Sequence, residues 1–322
     1  MAKPQAKRSP RKIAKPKTQT LKSSRFLTAH KNFLPGPLAR TLRKTFEDVY
    51  RNPRHTHPKR FLWDHWHLEN QYRMHRTPAR DFFTAKAYKE LQQKLVRFGQ
   101  DHLGCHSISE PWLSYYTEGD EQNLHTDSPH GPWAYVYSLT PWEDRVFSGG
   151  ETLILKPEVL SYWSGFSRSR GRENQDLMQT VAPLFNQLLV FDPRLPHGVR
   201  RVHGVHDPRA GRLVVHGWFV NPEPYVTGAL KLNTVTESLN EGLSRVLSEV
   251  SVPSDIQGIV TFRFQVNRSG VILSGKPLTN TLVDRIGGAP TELISALQKE
   301  LKKMRLPKAA GQSELTLPLI FD

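Results

Sequence analysis

The sequence lacks several features that would point to common classes of protein. Cys105 is its single cysteine among 322 residues, so an internal disulfide framework and a multi-cysteine zinc site are excluded. No apolar run approaches the ~20 residues that span a bilayer, and no apolar stretch of signal-peptide type follows the first charges. We therefore expect a cytoplasmic protein with no membrane span.

Acidic residues are also missing from the start of the chain, where the first is Glu47. Residues 1–32 hold ten Lys and Arg side chains and no acidic residue, so they carry ten of the fifteen net positive charges of the chain. Because this segment is rich in Pro, Ser and Thr, it buries too little apolar area to fold, and residues 1–25 are predicted to be a disordered tail. Two roles stay open: a solvated tail, or an anchor to RNA, DNA, a ribosome or an acidic partner.

Two amphipathic helices are predicted after the tail. Apolar side chains recur at helical spacing from Leu38 to Val49 and from Tyr88 to Phe98. Between them, residues 51–78 are crowded with His, Arg, Trp and Pro. We expect an ordered loop with short elements there.

From about residue 111, short β-branched and aromatic runs alternate with turn signals. The predicted strands are 112–117, 133–139, 151–155, 187–192, 198–203 and 212–220. Strands at this spacing indicate a sandwich or a barrel. Residues 156–180, rich in Ser, Gly and Arg, interrupt the strands and are either a lid or a passive loop.

A second region follows the Pro-Glu-Pro run at 222–224. It shows a helical pattern at 234–250, an alternating strand at 260–266, a helix around 291–301 and a closing strand at 315–321. We predict a small α+β domain over residues 233–322.

The residues that suggest chemistry begin with His125 and Asp127. On a strand, two residues at this spacing point to the same side, and they can share one cation. His197 ends an apolar run seventy residues later and can complete two His and one carboxylate on one face of a metal. That set leaves three coordination positions open, as non-haem iron(II) oxygenases need. His203 or His206 is the alternative distal ligand; the position of His197 at the end of the strand favours it.

Arg212 opens an apolar strand further along the chain. A buried arginine without a partner is costly, and its guanidinium can hold a carboxylate through two parallel hydrogen bonds. The residue therefore indicates either an anionic ligand or an acidic partner within the protein.

Four motifs in order resemble the prolyl-hydroxylase-like branch of the iron(II)/2-oxoglutarate dioxygenases over about residues 105–221. They lie at 125–127, 149–152, 196–202 and 212–219. The resemblance implies a double-stranded β-helix, with His125, Asp127 and His197 as iron ligands. It also implies that Arg212 and Tyr116 bind the distal carboxylate of 2-oxoglutarate. The neighbouring Tyr115 would point to the opposite side of the strand. Tyr137, on the following strand, is expected to line the pocket.

The predicted fold is therefore mainly β: a jelly roll with flanking N-terminal helices over 26–225, plus the α+β domain. The predicted reaction is hydroxylation of a prolyl or other residue of a protein partner, with succinate and carbon dioxide as co-products and ascorbate as reductant. One alternative is a nucleic-acid oxidative demethylase, but that branch carries an Arg-x-Asn-x-Thr-x-Arg strand, and residues 212–218 lack its second arginine. The other is a non-catalytic scaffold.

Residues 235–322 are similar to the carboxy-terminal domain of TonB-type energy-transducing proteins. The similar runs lie at 258–271, 305–307 and 315–321. Energy transduction is not expected, because the family's N-terminal membrane anchor is not found. The resemblance implies a small binding or dimerising module with a strand edge for a partner; a stability appendage is the alternative.

Overall fold

Two antiparallel sheets form from the alternating apolar runs of the chain. The structure is a computed structural model and describes residues 24–160 and 162–322. The predicted disordered tail falls mostly on residues 1–23, outside the described part. Ser24 and Arg25, also assigned to the tail, belong to the fold, because Ser24 pairs with Leu27 and Arg25 donates to the carbonyl of Leu282.

The first sheet contains twelve strands of the described chain. They are Leu27–Lys31 (β1), Asp64–Leu68 (β2), Tyr72–Pro78 (β3), Ser107–Ile108 (β4), Trp112–Tyr116 (β5), Glu121–His125 (β6), Trp133–Ser138 (β7), Thr152–Leu155 (β8), Met178–Val181 (β9), Gln187–Phe191 (β10), His197–Val199 (β11) and Arg212–Val220 (β12). The second sheet contains Tyr225–Gly228 (β13), Gly258–Val266 (β14), Ile272–Asn280 (β15) and Ser313–Phe321 (β16).

In the chain, the α-helices lie between these strands. They are Gly36–Tyr50 (α1), Ala79–Phe82 (α2), Ala85–Phe98 (α3), Pro157–Leu160 (α4), Asn174–Leu177 (α5), Leu232–Glu249 (α6) and Thr291–Leu301 (α7). None of the helices within the described residues combines the length and the apolarity that crossing a bilayer requires.

The first sheet curls into a double-stranded β-helix, as predicted. Its strand order is β1-β10-β7-β12-β5-β3-β6-β11-β8-β9. The turn between the two halves is made by β3, whose His75 pairs with Tyr115 on β5 while its Tyr72 pairs with Gln122 on β6. Although β5 and β3 separate β12 from β6 in the sheet, the curl brings His125, His197 and Arg212 to the lining of one cavity.

Helices α1 and α3 cover one face of the sheet, and both predicted helices are confirmed. Their apolar sides, including Phe46 and Leu95, pack with Leu113 and Val215 from the strands below. Burying each such side chain stabilises the fold by about 1.5–3 kcal/mol. The Thr84 side chain accepts a hydrogen bond from the first turn of α3, which fixes where that helix begins.

Several elements differ from the predictions. Residues 51–78 contain the hairpin β2–β3. No strand pattern marks residues 121–125, which are mostly polar, although we expected His125 and Asp127 to lie on one strand. The strand β6 ends at His125, and Asp127 lies beyond it. The predicted strand at 198–203 is shorter, at His197–Val199. Residues 156–180 hold the short helices α4 and α5, and β9 begins within that stretch.

The second sheet and its two helices form a C-terminal module, residues 225–322. Helices α6 and α7 pack on the sheet through a separate core that includes Val246, Leu297 and Phe262. The module includes β13 and so begins earlier than predicted. It is fixed to the segment that follows α3, since Arg263 donates to the carbonyls of Gln100 and Asp101.

Gly149 gives a test of the fold. It has a φ of +78°, and an added Cβ would lie 1.8 Å from the carbonyl oxygen of Arg201. We expect Gly149→Ala to lower the free energy of unfolding by about 2 kcal/mol or more. Gly171, with nothing within 4 Å and no positive φ, is the matched control, and Gly171→Ala should change it by less than about 0.5 kcal/mol. Urea denaturation measures the free energy of unfolding of both variants. Equal losses in the two variants would contradict this account of Gly149.

Candidate metal centre and cosubstrate pocket

His125 and His197 face each other across two neighbouring strands. They are direct partners in the antiparallel pairing of β6 with β11, and their ring centroids are 4.5 Å apart. Asp127 follows β6 by two residues, and its backbone N–H donates to the carbonyl of Pro193 at 3.0 Å. The loop before β11 thus holds the carboxylate beside the two imidazoles.

The three side chains converge on one point. The Oδ2 atom of Asp127 lies 3.4 Å from Nε2 of His197 and 3.8 Å from Nε2 of His125. One ligand atom from each residue lies within 4.8 Å of the others. This spacing suits an ion placed about 2 Å from each atom.

Both imidazoles have a fixed orientation. Nδ1 of His125 lies 2.8 Å from the carbonyl oxygen of Asn123, and Nδ1 of His197 lies 2.9 Å from that of Leu195. Because a carbonyl only accepts, Nδ1 carries the proton in the neutral ring, and the Nε2 lone pair is left for the shared point. The donor set therefore fits a divalent metal.

The ionisation of the site also fits a metal. Burial lowers the pKa of His125. The hydrogen bond to Asn123 raises it in part, and the nearby His197 lowers it further. Burial by itself raises the pKa of Asp127, but the contact with His197 and the charges of the surrounding histidines outweigh it and leave the pKa lowered. At neutral pH the site thus offers a neutral His125 and an ionised carboxylate, the forms that bind metals.

Arg212 begins β12 and is almost fully buried, with 1% of its surface exposed. Its Nη2 donates to the Thr152 hydroxyl at 3.3 Å, while Nε and Nη1 have no hydrogen-bond partner among the described residues. Burial lowers the pKa of this guanidinium, opposed by Tyr116 and Glu151. A buried cation with two unpartnered nitrogen atoms is costly unless an anion binds it, and the two oxygens of a carboxylate match the geometry of a guanidinium.

Tyr116 lies directly opposite Arg212 in the pairing of β5 with β12. The Arg212 guanidinium is 4.6 Å from the centre of its ring, and the Tyr116 hydroxyl lies 2.9 Å from Oε1 of Gln122. Burial raises the pKa of Tyr116 to about 12, so its hydroxyl stays a donor. Tyr115 points the other way and packs on Trp63.

One cavity of about 110 Å³ joins these groups. It is lined by the His125, Asp127 and His197 side chains together with Arg212 and Tyr116. A small dicarboxylate that reaches Arg212 would therefore share the cavity with a metal ion.

Four further lining residues were not identified from the sequence, and a sequence signal exists for His216. Trp66 and Tyr72, stacked at 4.6 Å, come from the unpredicted hairpin β2–β3. Trp218 and His216 come from β12, and the strand alternation that carries Arg212 inward also predicts His216 on its face. Nε2 of His216 lies 2.9 Å from the Ser114 hydroxyl.

The expectation that Tyr137 lines the pocket is corrected. Tyr137 is fully buried in the core under the helices, and its hydroxyl donates to Oδ1 of Asn186 at 3.0 Å. Its neighbour Val136 lines the cavity instead. Successive strand residues face opposite sides of the sheet, and Tyr137 falls on the helix side.

His203 and His206, the alternative distal ligands, do not lie near His125 and Asp127. His203 is exposed and lies 3.2 Å from Glu118, and His206 is exposed as well. The distal position beside His125 and Asp127 is therefore occupied by His197.

A second group, His65, His75 and Asp120, also brings ligand atoms within 4.8 Å. It suits a metal less well, because Arg73 already lies 3.4 Å from the Asp120 carboxylate. The His65 and His75 rings are stacked with an interplanar angle of 15°, so their in-plane lone pairs run side by side and do not converge.

The sequence of residues 111–220 matches the family model of the 2OG-Fe(II) oxygenase superfamily. Residues 111–220 are a 2OG-Fe(II) oxygenase domain. The prediction of a 2-oxoglutarate-dependent dioxygenase is thereby confirmed, and the superfamily implies Fe(II) and 2-oxoglutarate as cofactor and cosubstrate. Among curated proteins, none matches the chain.

Solved structures with some likeness to the oxygenase include three prolyl hydroxylases. One from Trichoplax adhaerens, in complex with a hypoxia-inducible-factor fragment, is 15% identical over 61% of this chain and 84% of its own, with a TM-score of 0.44. A Pseudomonas putida prolyl-4-hydroxylase is 17% identical over 61% and 92%, with a TM-score of 0.41. A collagen prolyl hydroxylase from Paramecium bursaria Chlorella virus-1 is 11% identical over 60% and 94%, with a TM-score of 0.39.

The half-buried His216 leads us to expect a loss of stability in acid. Burial first, then the charge of Arg212, lowers its pKa from 6.5 to about 3. As the pH falls below 6.5, the unfolded chain takes up the proton first, so this contribution is complete above pH 6.5 and is lost toward pH 3. We expect urea denaturation to show a smaller loss of stability on acidification for His216→Gln than for the wild type. Parallel curves for the two proteins would contradict the assignment.

Proposed function

We propose that His125, Asp127 and His197 hold Fe(II), that Arg212 and Tyr116 bind the distal carboxylate of 2-oxoglutarate, and that the enzyme hydroxylates a prolyl or other residue of a protein partner. Succinate and carbon dioxide are the co-products. The observation that carries the proposal is the buried, half-partnered Arg212 in the same cavity as the three converging ligand atoms.

Each group of the chain then has a defined task. When bound, ferrous iron with 2-oxoglutarate supplies oxygen activation, which protein side chains do not provide. The carbonyls of Asn123 and Leu195 keep both Nε2 atoms aimed at the metal. Arg212 holds one end of the cosubstrate, and the aromatic walls exclude water from the cavity.

A peptidyl substrate is supported by the prolyl-hydroxylase-like motifs and by the aromatic mouth of the cavity. The Tyr72 ring lies 5.1 Å from that of His125, so a flat apolar surface borders the metal site. Such a surface suits the side of a proline ring or an aliphatic side chain.

The demethylase alternative has less support from the same strand. Trp218 stands where that branch carries its second arginine, and its ring lines the cavity 4.4 Å from His130. A phosphate backbone therefore lacks the cation that this strand would have to provide.

Other predictions remain proposals. We propose ascorbate as the reductant, a cytoplasmic location, and RNA, a ribosome or an acidic protein as partner of the basic tail. For the C-terminal module, whose TonB-like resemblance is confined to the sequence, we propose binding of a partner or self-association.

The proposed function is tested with the full chain, Fe(II), 2-oxoglutarate, ascorbate and a library of proline-containing peptides. We expect peptide-stimulated succinate and peptides heavier by one oxygen atom in mass spectrometry. His197→Ala should lose metal binding and lower turnover by more than the roughly 10–100-fold that loss of an outer-shell partner costs. The control His203→Ala should keep both, because His203 lies outside the cluster.

Different results would favour the other candidates. A protein that binds no iron and forms no succinate with any peptide would be a scaffold. Oxidation of a methylated oligonucleotide in place of every peptide would support the demethylase.

A further inference from the structure

A groove lies between the oxygenase domain and the C-terminal module. Its volume is about 540 Å³, within the range of sites that bind ligands. On the oxygenase side it is lined by Ser128, Pro129 and Pro193, and on the module side by Gly258, Ile259 and Ile320. Ile320 is 53% exposed, which leaves an apolar side chain uncovered in the groove.

The groove and the metal cavity are bordered by the same short segment of chain, with Asp127 and His130 lining the cavity and Ser128, Pro129 and Gly131 lining the groove. Ser128 and Pro129 directly follow Asp127 in the chain, and the Asp127 backbone N–H donates to the carbonyl of Pro193. The two segments that place the carboxylate ligand therefore also form one wall. A chain bound in the groove would therefore contact the segment that directly follows the carboxylate ligand Asp127.

The wall formed by the module is held in place by hydrogen bonds. Arg194 donates to the carbonyl of Thr281 at 2.7 Å, and Arg25 donates to that of Leu282 at 2.5 Å. At Gly258, which has a φ of +120°, an added Cβ would lie 2.6 Å from the Thr281 carbonyl oxygen, so the strands meet without space between them. A preformed groove spares a ligand the cost of ordering it.

The charge of the groove argues for a polypeptide and against a nucleic acid. Its charged lining residues are Asp192, Arg194 and Asp322, and the guanidinium of Arg194 is paired with Asp192 at 2.6 Å. Among the residues that the structure describes, the lining thus has one net negative charge and no cation left free for phosphates, although the chain as a whole carries +15.

We propose that this groove binds the polypeptide substrate on one side of the target residue, which makes the C-terminal module a wall of the substrate site. The inference rests on the proposed protein-residue hydroxylation and names the surface that selects the partner. The bound segment is extended, apolar beside Ile320, and neutral or basic overall.

The test begins with binding, which needs neither iron nor turnover. Peptides of about twelve residues, up to ~40 Å long when extended, carry one central proline and random neighbours, and are selected on the full-length protein. The strongest binder is then labelled for fluorescence anisotropy. Ile320→Asp should weaken its binding about tenfold. Leu273→Asp is the matched control, because Leu273 lies on β15 outside the groove and is 58% exposed.

A second measurement separates the groove from the reaction. With the same peptide as substrate, Ile320→Asp should raise KM about tenfold and leave kcat unchanged. The same peptide cut to the proline and its immediate neighbours should not distinguish Ile320→Asp from the wild type.

The inference is overturned if both variants bind the peptide equally, or if the protein retains no peptide. It is also overturned if a peptide of residues 1–23 or a second copy of the chain occupies the groove, as shown by binding or dimerisation that only Ile320→Asp abolishes. Hydroxylated peptides that are insensitive to Ile320→Asp would leave the proposed function intact. If peptides bind in the groove but are never hydroxylated, the groove proposal stands and the proposed function is wrong.

Discussion

The cross-strand pairing of His125 with His197 is the contact on which the site depends. It sets two imidazoles 4.5 Å apart, and the hydrogen bond from Asp127 to Pro193 brings in the carboxylate. A shift of one residue in this pairing would turn one imidazole to the opposite face of the sheet. The curl of the sheet through β3 and the packing of α1 and α3 therefore contribute to function by holding that register.

Arg212 adds the second constraint. Burying a guanidinium with two unpartnered nitrogen atoms has no structural benefit by itself, and the cost is recovered when an anion binds. Tyr116 and the candidate metal ligands line the same cavity as Arg212. A dicarboxylate that binds the buried guanidinium would therefore also reach the metal. In the proposed arrangement, the groove next to the segment that follows Asp127 binds the substrate. Its second wall is the C-terminal module, which hydrogen bonds hold to the domain.

Much of this could be predicted from the sequence, and what was missed has identifiable causes. The helices α1 and α3 follow from apolar spacing, and β12 follows from its long β-branched run. Strand β6 and the hairpin β2–β3 have mostly polar or exposed side chains, so backbone pairing with neighbours, which no local pattern reveals, defines them. Tyr137 was placed in the pocket because a strand pattern gives the alternation of faces and not which face meets the cavity.

The most direct test is a crystal structure of the full chain grown with Mn²⁺ and 2-oxoglutarate, with the metal located by anomalous scattering. The account predicts one strong peak bounded by Nε2 of His125, Nε2 of His197 and the Asp127 carboxylate, with the distal carboxylate of the cosubstrate on Arg212. A peak at His65, His75 and Asp120 with none at His125, or a cosubstrate bound away from Arg212, would contradict it.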